Sequence, residues 1–203
     1  MRVLEFIARA IVLLLLLPVH EYAHGAVATR LGDPTPREQG RLTLNPLRHL
    51  DILGSLLLLT AGFGWAKPVI VDPRNFKNPR RDMALVAAAG PLSNLAMALA
   101  SFIVYKAIFL VPLFPGFGTF LQVSTYIVGS VFIINVQLAI FNLLPVPPLD
   151  GSRILGLLLP EKIYWGLMRY ERYIMLALMA VLWLGWLSTP LEYLTHWLLS
   201  LLF

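Results

Sequence analysis

The chain has 203 residues, of which 58% are hydrophobic and 13% charged, and its mean hydropathy is +0.75. A soluble domain carries roughly a quarter charged residues, so this composition excludes one and predicts an all-α polytopic membrane protein. The net charge of +5 is typical of basic cytoplasmic loops, and we expect no nucleic-acid partner. The absence of cysteine excludes disulfides and thiolate metal ligands.

At about 20 residues per span, the length predicts about five to six helical segments. They form a single membrane-embedded domain over residues 1–203, with a core at 10–159 and C-terminal helices at 160–203. The first helix runs from about Val3 to Leu31. It is expected to be retained, because no small-residue cleavage site follows its apolar run as in a signal peptide. Pro18 should kink or loosen it.

The first helix contains the sequence His20-Glu21-Tyr22-Ala23-His24. Histidines at this spacing lie on one helix face, about 6 Å apart along the axis, so both rings can reach one metal ion. Glu21 can then accept a proton from a water molecule on that metal. A chance pattern without metal is the alternative, but so apolar a helix has no packing reason for three such side chains.

The segment Ile52 to Gly64 is apolar but shorter than the ~17 to 25 residues that cross a bilayer. Basic residues flank it on both sides, at Arg37, Arg41, Arg48, Lys67, Arg74, Lys77, Arg80 and Arg81. If both flanking loops are cytoplasmic, the segment is a re-entrant hairpin. A short tilted span is the alternative. Turn and short-strand patterns also predict minor β-strand or hairpin elements in these loops.

Two full spans are predicted next, Met83–Tyr105 and Phe120–Phe141. The loop between them, Val111–Thr119, carries no charge, which is typical of the non-cytoplasmic side. A further span is expected from about Tyr173 to Leu191, with a break near Pro190. This topology brings the end of the Phe120–Phe141 span back to the cytoplasmic side.

A catalytic zinc has three protein ligands and one open position, so the two histidines need a third ligand. Asp150 is the candidate, because the topology places it on the same side of the membrane as His24. The sequence Asp-Gly-Ser before an apolar run is also typical of a helix N-terminus. The proline-rich stretch before Asp150 favours the ligand, because irregular backbone at membrane depth is expected only where it lines a cavity.

These motifs resemble those of the site-2 protease family of intramembrane zinc metalloproteases, in its compact form without a regulatory domain. The resemblance rests on the stretches 20–24, 80–82, 89–94 and 142–151. It implies one Zn²⁺ ion per chain. The implied ligands are His20, His24 and Asp150, with Glu21 as general base and Asn94 as a catalytic residue that holds the substrate backbone or the oxyanion. Asn94 also has a structural alternative, because Gly90 and Asn94 have the spacing of a helix-packing motif.

The resemblance further implies hydrolysis of peptide bonds in or near transmembrane segments of membrane-protein substrates. The enzyme would be a multi-pass protein of a prokaryotic plasma membrane, in contact with lipids and with its active site toward the cytoplasm. Arg41–Asn45 and Lys67–Asp72 are the candidate extended edges for an unwound substrate.

A metal-ion transporter and a catalytically silent relative that binds membrane helices are the rival functions. The transporter leaves Glu21 without a role, and the intact glutamate argues against the silent relative. A membrane zinc protease acting on a soluble or lipidated substrate would use the same ligands. The sequence does not predict the oligomeric state.

Overall fold

The computed structural model describes residues 2–61, 64–110 and 118–200. Within these residues all regular elements are helical and no β-strand occurs. The α-helices are α1 (Arg2–Ile11), α2 (Leu17–Arg30), α3 (Thr35–Glu38), α4 (Ile52–Ala61), α5 (Pro79–Ile108), α6 (Gly118–Asn142), α7 (Asp150–Leu155), α8 (Glu161–Arg169), α9 (Glu171–Trp183) and α10 (Ser188–Ser200). The predicted all-α class is confirmed, but the predicted strand elements are not.

Among the residues that the structure describes, three helices are long and apolar enough to cross a membrane: Val3–Arg30 with 28 residues, α5 with 30 and α6 with 25. At about 1.5 Å per residue, each is longer than the ~30 Å hydrocarbon core of a bilayer. Helices α5 and α6 pack against each other, with Ala98 in one apolar cluster with Val136 and Ile140. The chain is therefore a membrane protein. Most of the predicted charge-free loop, residues 111–117, lies outside the described residues.

The first spanning helix changes its hydrogen-bond pattern just before Pro18. A π-helical turn, Val12–Leu16, joins α1 to α2, and the Leu17 N–H donates to the carbonyl of Val12. Proline has no N–H to donate to the preceding turn, and its ring crowds that turn's carbonyl. A wider turn at this place relieves the crowding. The predicted loosening of the helix takes this form.

The chain before the short apolar helix α4 and the chain after it lie next to each other. The N–H of Lys67 donates to the carbonyl of His49 at 2.7 Å, which joins the chain before α4 to the chain after it. A Cβ on Gly54 would overlap the backbone of Trp65, so the returning chain passes directly against the start of α4. The chain after α4 therefore returns to the chain before it, while the re-entrant position of this segment in the membrane stays a prediction.

Arg9 anchors the far end of this hairpin. Its Nη1 donates to the carbonyls of Leu59 and Thr60 in the last turn of α4, at 3.1 Å each. The last carbonyls of a helix have no partner within the helix, and a cation there also stabilises the helix dipole. Arg9 therefore ties α4 to α1.

The C-terminal part is broken earlier than the sequence predicted. Helix α9 ends at Trp183, and Gly185 has a φ of +71° in the turn before α10. Pro190 lies in the first turn of α10, where its missing N–H removes no helical hydrogen bond. The break belongs to Gly185, because glycine adopts this left-handed conformation without steric cost.

Asp33 joins the end of α2 to the loop after the hairpin. The residue is fully buried, and its carboxylate accepts hydrogen bonds from Thr35, from the N–H of Asp72 and from Nδ2 of Asn75. Burial alone would raise the pKa of this carboxyl, but the hydrogen bonds outweigh it and hold the pKa below its ordinary value of 3.8. The ionised carboxylate therefore holds the chain from Asp72 to Asn75 against the end of α2.

We expect Asp33→Asn to lower the unfolding free energy by about 1–3 kcal/mol near neutral pH, because the amide leaves buried donors unpaired. A lowered folded-state pKa means that Asp33 contributes stability above its ordinary pKa of 3.8 and loses the contribution as the pH falls below it. The Tm difference from the wild type should shrink over that acid range. Asp72→Asn, which changes an exposed ion pair with Arg74, is the control expected to have little effect.

Candidate metal centre

Helix α2 presents two buried imidazole rings on one face. His20 and His24 are 6% and 8% exposed, and their Nε2 atoms lie 3.0 Å apart. The four-residue spacing turns the second ring by only about 40° around the helix axis. Both Nε2 atoms therefore point toward one position beside the helix.

Asp150, the first residue of α7, reaches this position from the other side. Its Oδ2 lies 3.4 Å from Nε2 of each histidine, and this buried oxygen has no hydrogen-bond partner among the described residues. Leu149 holds the N-cap position of α7 and makes no side-chain cap. The Asp150 carboxylate thus faces the imidazoles and does not cap α7.

The backbone places Asp150 there by close packing. A Cβ on Gly151 would overlap the carbonyl groups of Leu143 and Leu144. The start of α7 therefore lies directly against the chain that leaves α6. Proline residues keep the connection between α6 and α7 from continuing as a helix.

The three ligand atoms fit a zinc ion. They all lie within 4.8 Å of one another, and this is the one such group of His, Cys, Asp and Glu among the residues that the structure describes. A tetrahedral zinc with bonds of about 2.0–2.2 Å separates its ligand atoms by roughly 3.2–3.6 Å, close to the 3.0 and 3.4 Å found here. Two imidazoles and a carboxylate are a donor set that zinc accepts.

The charge state of Asp150 also suits a metal. Burial would raise the pKa of this carboxyl, but the neighbouring imidazoles of His20 and His24 lower the pKa to about 2. The carboxylate is therefore ionised at neutral pH, which is the form that binds a cation.

Helix α5 forms the wall behind the two rings. Nδ1 of His24 lies 2.7 Å from the carbonyl oxygen of Val86, and Nδ1 of His20 lies 3.0 Å from Oδ1 of Asn94. Both acceptors place the ring hydrogen on Nδ1 and leave the Nε2 lone pairs free. Asn94 thus contacts a predicted ligand, and the sequence carried no side-chain signal for the Val86 carbonyl.

Gly90 lies between these two contacts, and its missing side chain makes room for both rings. A Cβ there would overlap the His20 ring and the Nε2 and Cε1 atoms of His24. The glycine has an ordinary helical conformation, so the requirement is space and not backbone freedom.

We expect Gly90→Ala to lower zinc affinity by at least ~10-fold, because its methyl group must push the rings out of register. Isothermal titration of the purified protein with zinc measures the effect. Gly166→Ala is the matched control, since a Cβ at that α8 position meets no neighbour within 4 Å. Equal zinc affinity in the two variants would contradict the packing argument.

Glu21 lies beside the cluster, on the wall of a cavity of about 570 Å³ that His20, His24 and Asp150 also line. Its Oε2 accepts a hydrogen bond of 2.8 Å from the N–H of Val69. Val69 belongs to the chain that returns from the hairpin, which has no regular secondary structure between residues 64 and 72. Of the two predicted edge segments, the one from Lys67 to Asp72 therefore passes the site.

Arg153 and Glu171 also line the cavity and were not singled out from the sequence. They form an ion pair of 2.9 Å that ties the start of α9 to α7. The sequence signal was weak, because Arg153 stands among several basic residues of similar context. Another histidine, His49, lies elsewhere, with its Nε2 2.8 Å from the carbonyl oxygen of Thr43.

The sequence also matches known proteins. The family model described as peptidase family M50 matches residues 118–185, which include Asp150. A Bacillus subtilis protein, "Putative zinc metalloprotease YwhC", is 43% identical over 169 residues, covering 80% of this chain and 74% of that protein. The chain belongs to peptidase family M50. The site-2 protease resemblance found in the motifs is thereby confirmed.

Two mycobacterial relatives extend the M50 comparison. Two proteins named "Putative zinc metalloprotease Rip2" also match. The one from Mycolicibacterium smegmatis is 29% identical over 145 residues, and the one from Mycobacterium tuberculosis is 33% identical over 141 residues. The alignments cover 68% and 66% of this chain but 52% and 50% of those proteins. The chain thus spans about half the length of these M50 relatives. No solved structure matches it significantly.

Proposed function

We propose that this M50 protein is an intramembrane zinc metalloprotease that hydrolyses peptide bonds in or near transmembrane segments of other membrane proteins. The observation that carries the proposal is the position of the three-ligand cluster. His20 and His24 lie within one membrane-length helix and contact a second, while Glu21 faces the same cavity. Such an arrangement supports hydrolysis at membrane depth.

His20, His24 and Asp150 would hold a single zinc ion, which supplies a Lewis acid for the scissile carbonyl and activates water at neutral pH. Glu21 acts as the general base: it accepts a proton in the attack step and returns it to the leaving amine. The Val69 N–H holds Oε2 of Glu21, which keeps the carboxylate oriented toward the cavity.

The chain around Val69, beside Glu21, is the proposed capture site for substrate. A transmembrane helix hides its carbonyls in hydrogen bonds, so it must unwind before attack. The segment Pro68–Val71 lines the cavity, and an unwound peptide could lie alongside its backbone as an added strand. Pro68 begins this segment and Pro73 follows it. Neither can donate a backbone hydrogen bond, which limits pairing to the residues between them.

We place the site toward the cytoplasm of a prokaryotic plasma membrane. The support is the charge of the loops that surround it, since the chain between α2 and α5 is rich in arginine and lysine and such loops stay on the cytoplasmic side. The proposed domain core, residues 10–159, supplies every proposed ligand and Glu21. Glu171, at the start of α9, lines the same cavity from outside that core.

Cleavage of defined substrates tests the proposal. The purified protein is reconstituted into liposomes with zinc and offered single-span model proteins, and in parallel soluble peptides carrying the same sequences. Mass spectrometry should locate cuts within or next to the membrane segment. Cleavage of the soluble peptides alone would instead identify a membrane zinc protease for soluble substrates. Metal uptake into the liposomes without any cleavage would identify a transporter.

A further inference from the structure

Asn94 lies behind the ligand cluster and not in the cavity. Its side chain is fully buried, and its Oδ1 contacts Nδ1 of His20 at 3.0 Å. It does not line the cavity that contains Glu21, within the described part of the chain. Because Nδ1 and Nε2 lie on different sides of an imidazole, the His20 ring stands between Asn94 and the ligand cluster.

The amide oxygen decides which nitrogen of His20 carries hydrogen. A carbonyl oxygen only accepts, so this contact places the hydrogen on Nδ1 and leaves the Nε2 lone pair directed toward His24 and Asp150. The reversed amide would donate to Nδ1 and place the hydrogen on Nε2, where it would block a metal. Only the observed orientation is compatible with metal binding.

Helix α5 supplies a hydrogen-bond acceptor for Nδ1 of each histidine. Val86 and Asn94 lie on either side of Gly90, each four residues from it, so all three fall on one helix face. The two histidines of α2 have the matching four-residue spacing. The acceptor at Val86 is a backbone carbonyl, which leaves Asn94 as the one side chain in this pair of contacts.

We propose that Asn94 is a positioning residue that fixes the metal-binding tautomer of His20, and not a donor to the oxyanion. The proposal rests on the proposed function and replaces the catalytic role that the resemblance implied for Asn94. The rival role would act through Nδ2 of Asn94, a buried donor without a hydrogen-bond partner among the described residues. The two roles therefore use different atoms of one side chain.

Two substitutions separate these atoms. Asn94→Asp keeps an oxygen acceptor for His20 and removes the amide donor. Asn94→Leu removes both at similar volume. If Asn94 positions His20, the Leu variant should lose about 10–100-fold in zinc affinity, the usual effect of losing an outer partner of a metal ligand. The Asp variant should keep zinc affinity and proteolysis within a few-fold of the wild type.

Replacing zinc by Co²⁺ adds a measurement that reports the geometry of the metal ligands and not the general packing of the protein. The visible d–d absorption of the Co²⁺ protein reports ligand geometry, and it should change in Asn94→Leu but not in Asn94→Asp. Asn135→Leu is the matched control. It removes another fully buried asparagine, on α6, whose Nδ2 donates to the carbonyl of Val131, and it should leave zinc affinity and the cobalt spectrum unchanged.

Three outcomes would decide against particular claims. Wild-type zinc affinity in Asn94→Leu overturns the positioning role. Loss of proteolysis in Asn94→Asp with full zinc and an unchanged cobalt spectrum overturns it in favour of the oxyanion role, and this variant decides the question even if the Leu variant does not fold. A wild-type protein that binds no zinc defeats the proposed function itself, before any variant is compared.

Discussion

Glu21→Gln is expected to lower the rate of peptide hydrolysis by about 10²–10⁴-fold while zinc stays bound at one ion per chain. Glutamine keeps the size of the side chain and can still accept the hydrogen bond from Val69, but it cannot accept the proton in the attack step. Cleavage rates in liposomes and metal content by mass spectrometry of the same samples measure the two effects together.

The control for this prediction is Glu38→Gln, which neutralises an exposed carboxylate on α3 and should leave the rate unchanged. Residual cleavage in Glu21→Gln within a few-fold of the wild type would remove Glu21 as the general base. Loss of zinc together with activity would show instead that Glu21 maintains the site and does not take part in the reaction. Unchanged zinc transport in the same variant would support a carrier.

Asp150→Ala is expected to lower zinc affinity by more than the ~10–100-fold that follows loss of an outer partner, because a ligand atom itself is removed. Two imidazoles alone leave the ion with half of its tetrahedral positions open to exchange with solvent. Proteolysis should fall with zinc occupancy. Competition with a chelator of known affinity measures the change, and Asp150→Asn tests whether the charge or the oxygen matters more.

Asp82→Asn is the matched control for Asp150. Asp82 is also a buried aspartate near a helix start, but its Oδ2 accepts a hydrogen bond of 3.1 Å from the N–H of Asn78 at the beginning of α5. Its replacement should lower the melting temperature and leave zinc affinity intact. Full zinc occupancy in Asp150→Ala would show that the third ligand lies elsewhere.

Local sequence patterns predicted the elements whose cause is local. His20 and His24 lie on one face because helix geometry fixes the angle between positions four apart. Val3–Arg30 is a membrane-length helix because the apolar run at residues 10–19 leaves the backbone no other way to satisfy its hydrogen bonds in lipid. The chain around α4 returns on itself, as expected from basic loops on both sides of a segment too short to span.

Other predictions failed where neighbours decide the outcome. The expected strands need a ladder of hydrogen bonds with a partner chain, and within the described residues neither Arg41–Asn45 nor the chain at 64–72 forms one. Pro190 was a reasonable place for a break, but a proline in the first turn of a helix costs nothing. Gly185, which the sequence analysis passed over, provides the break instead.

The sequence by itself determined that this is a membrane protein and that two imidazoles and a glutamate lie together on its first helix. The apolar composition decides the first point, and the fixed geometry of a helix over a few residues decides the second. Only the tertiary structure decided that the Asp150 carboxylate faces those imidazoles and does not cap α7. It alone decided that Asn94 and the Val86 carbonyl hold the backs of the rings, with Gly90 leaving room between them. These contacts join residues more than 60 positions apart, and such distances are set by how α2, α5 and α7 pack.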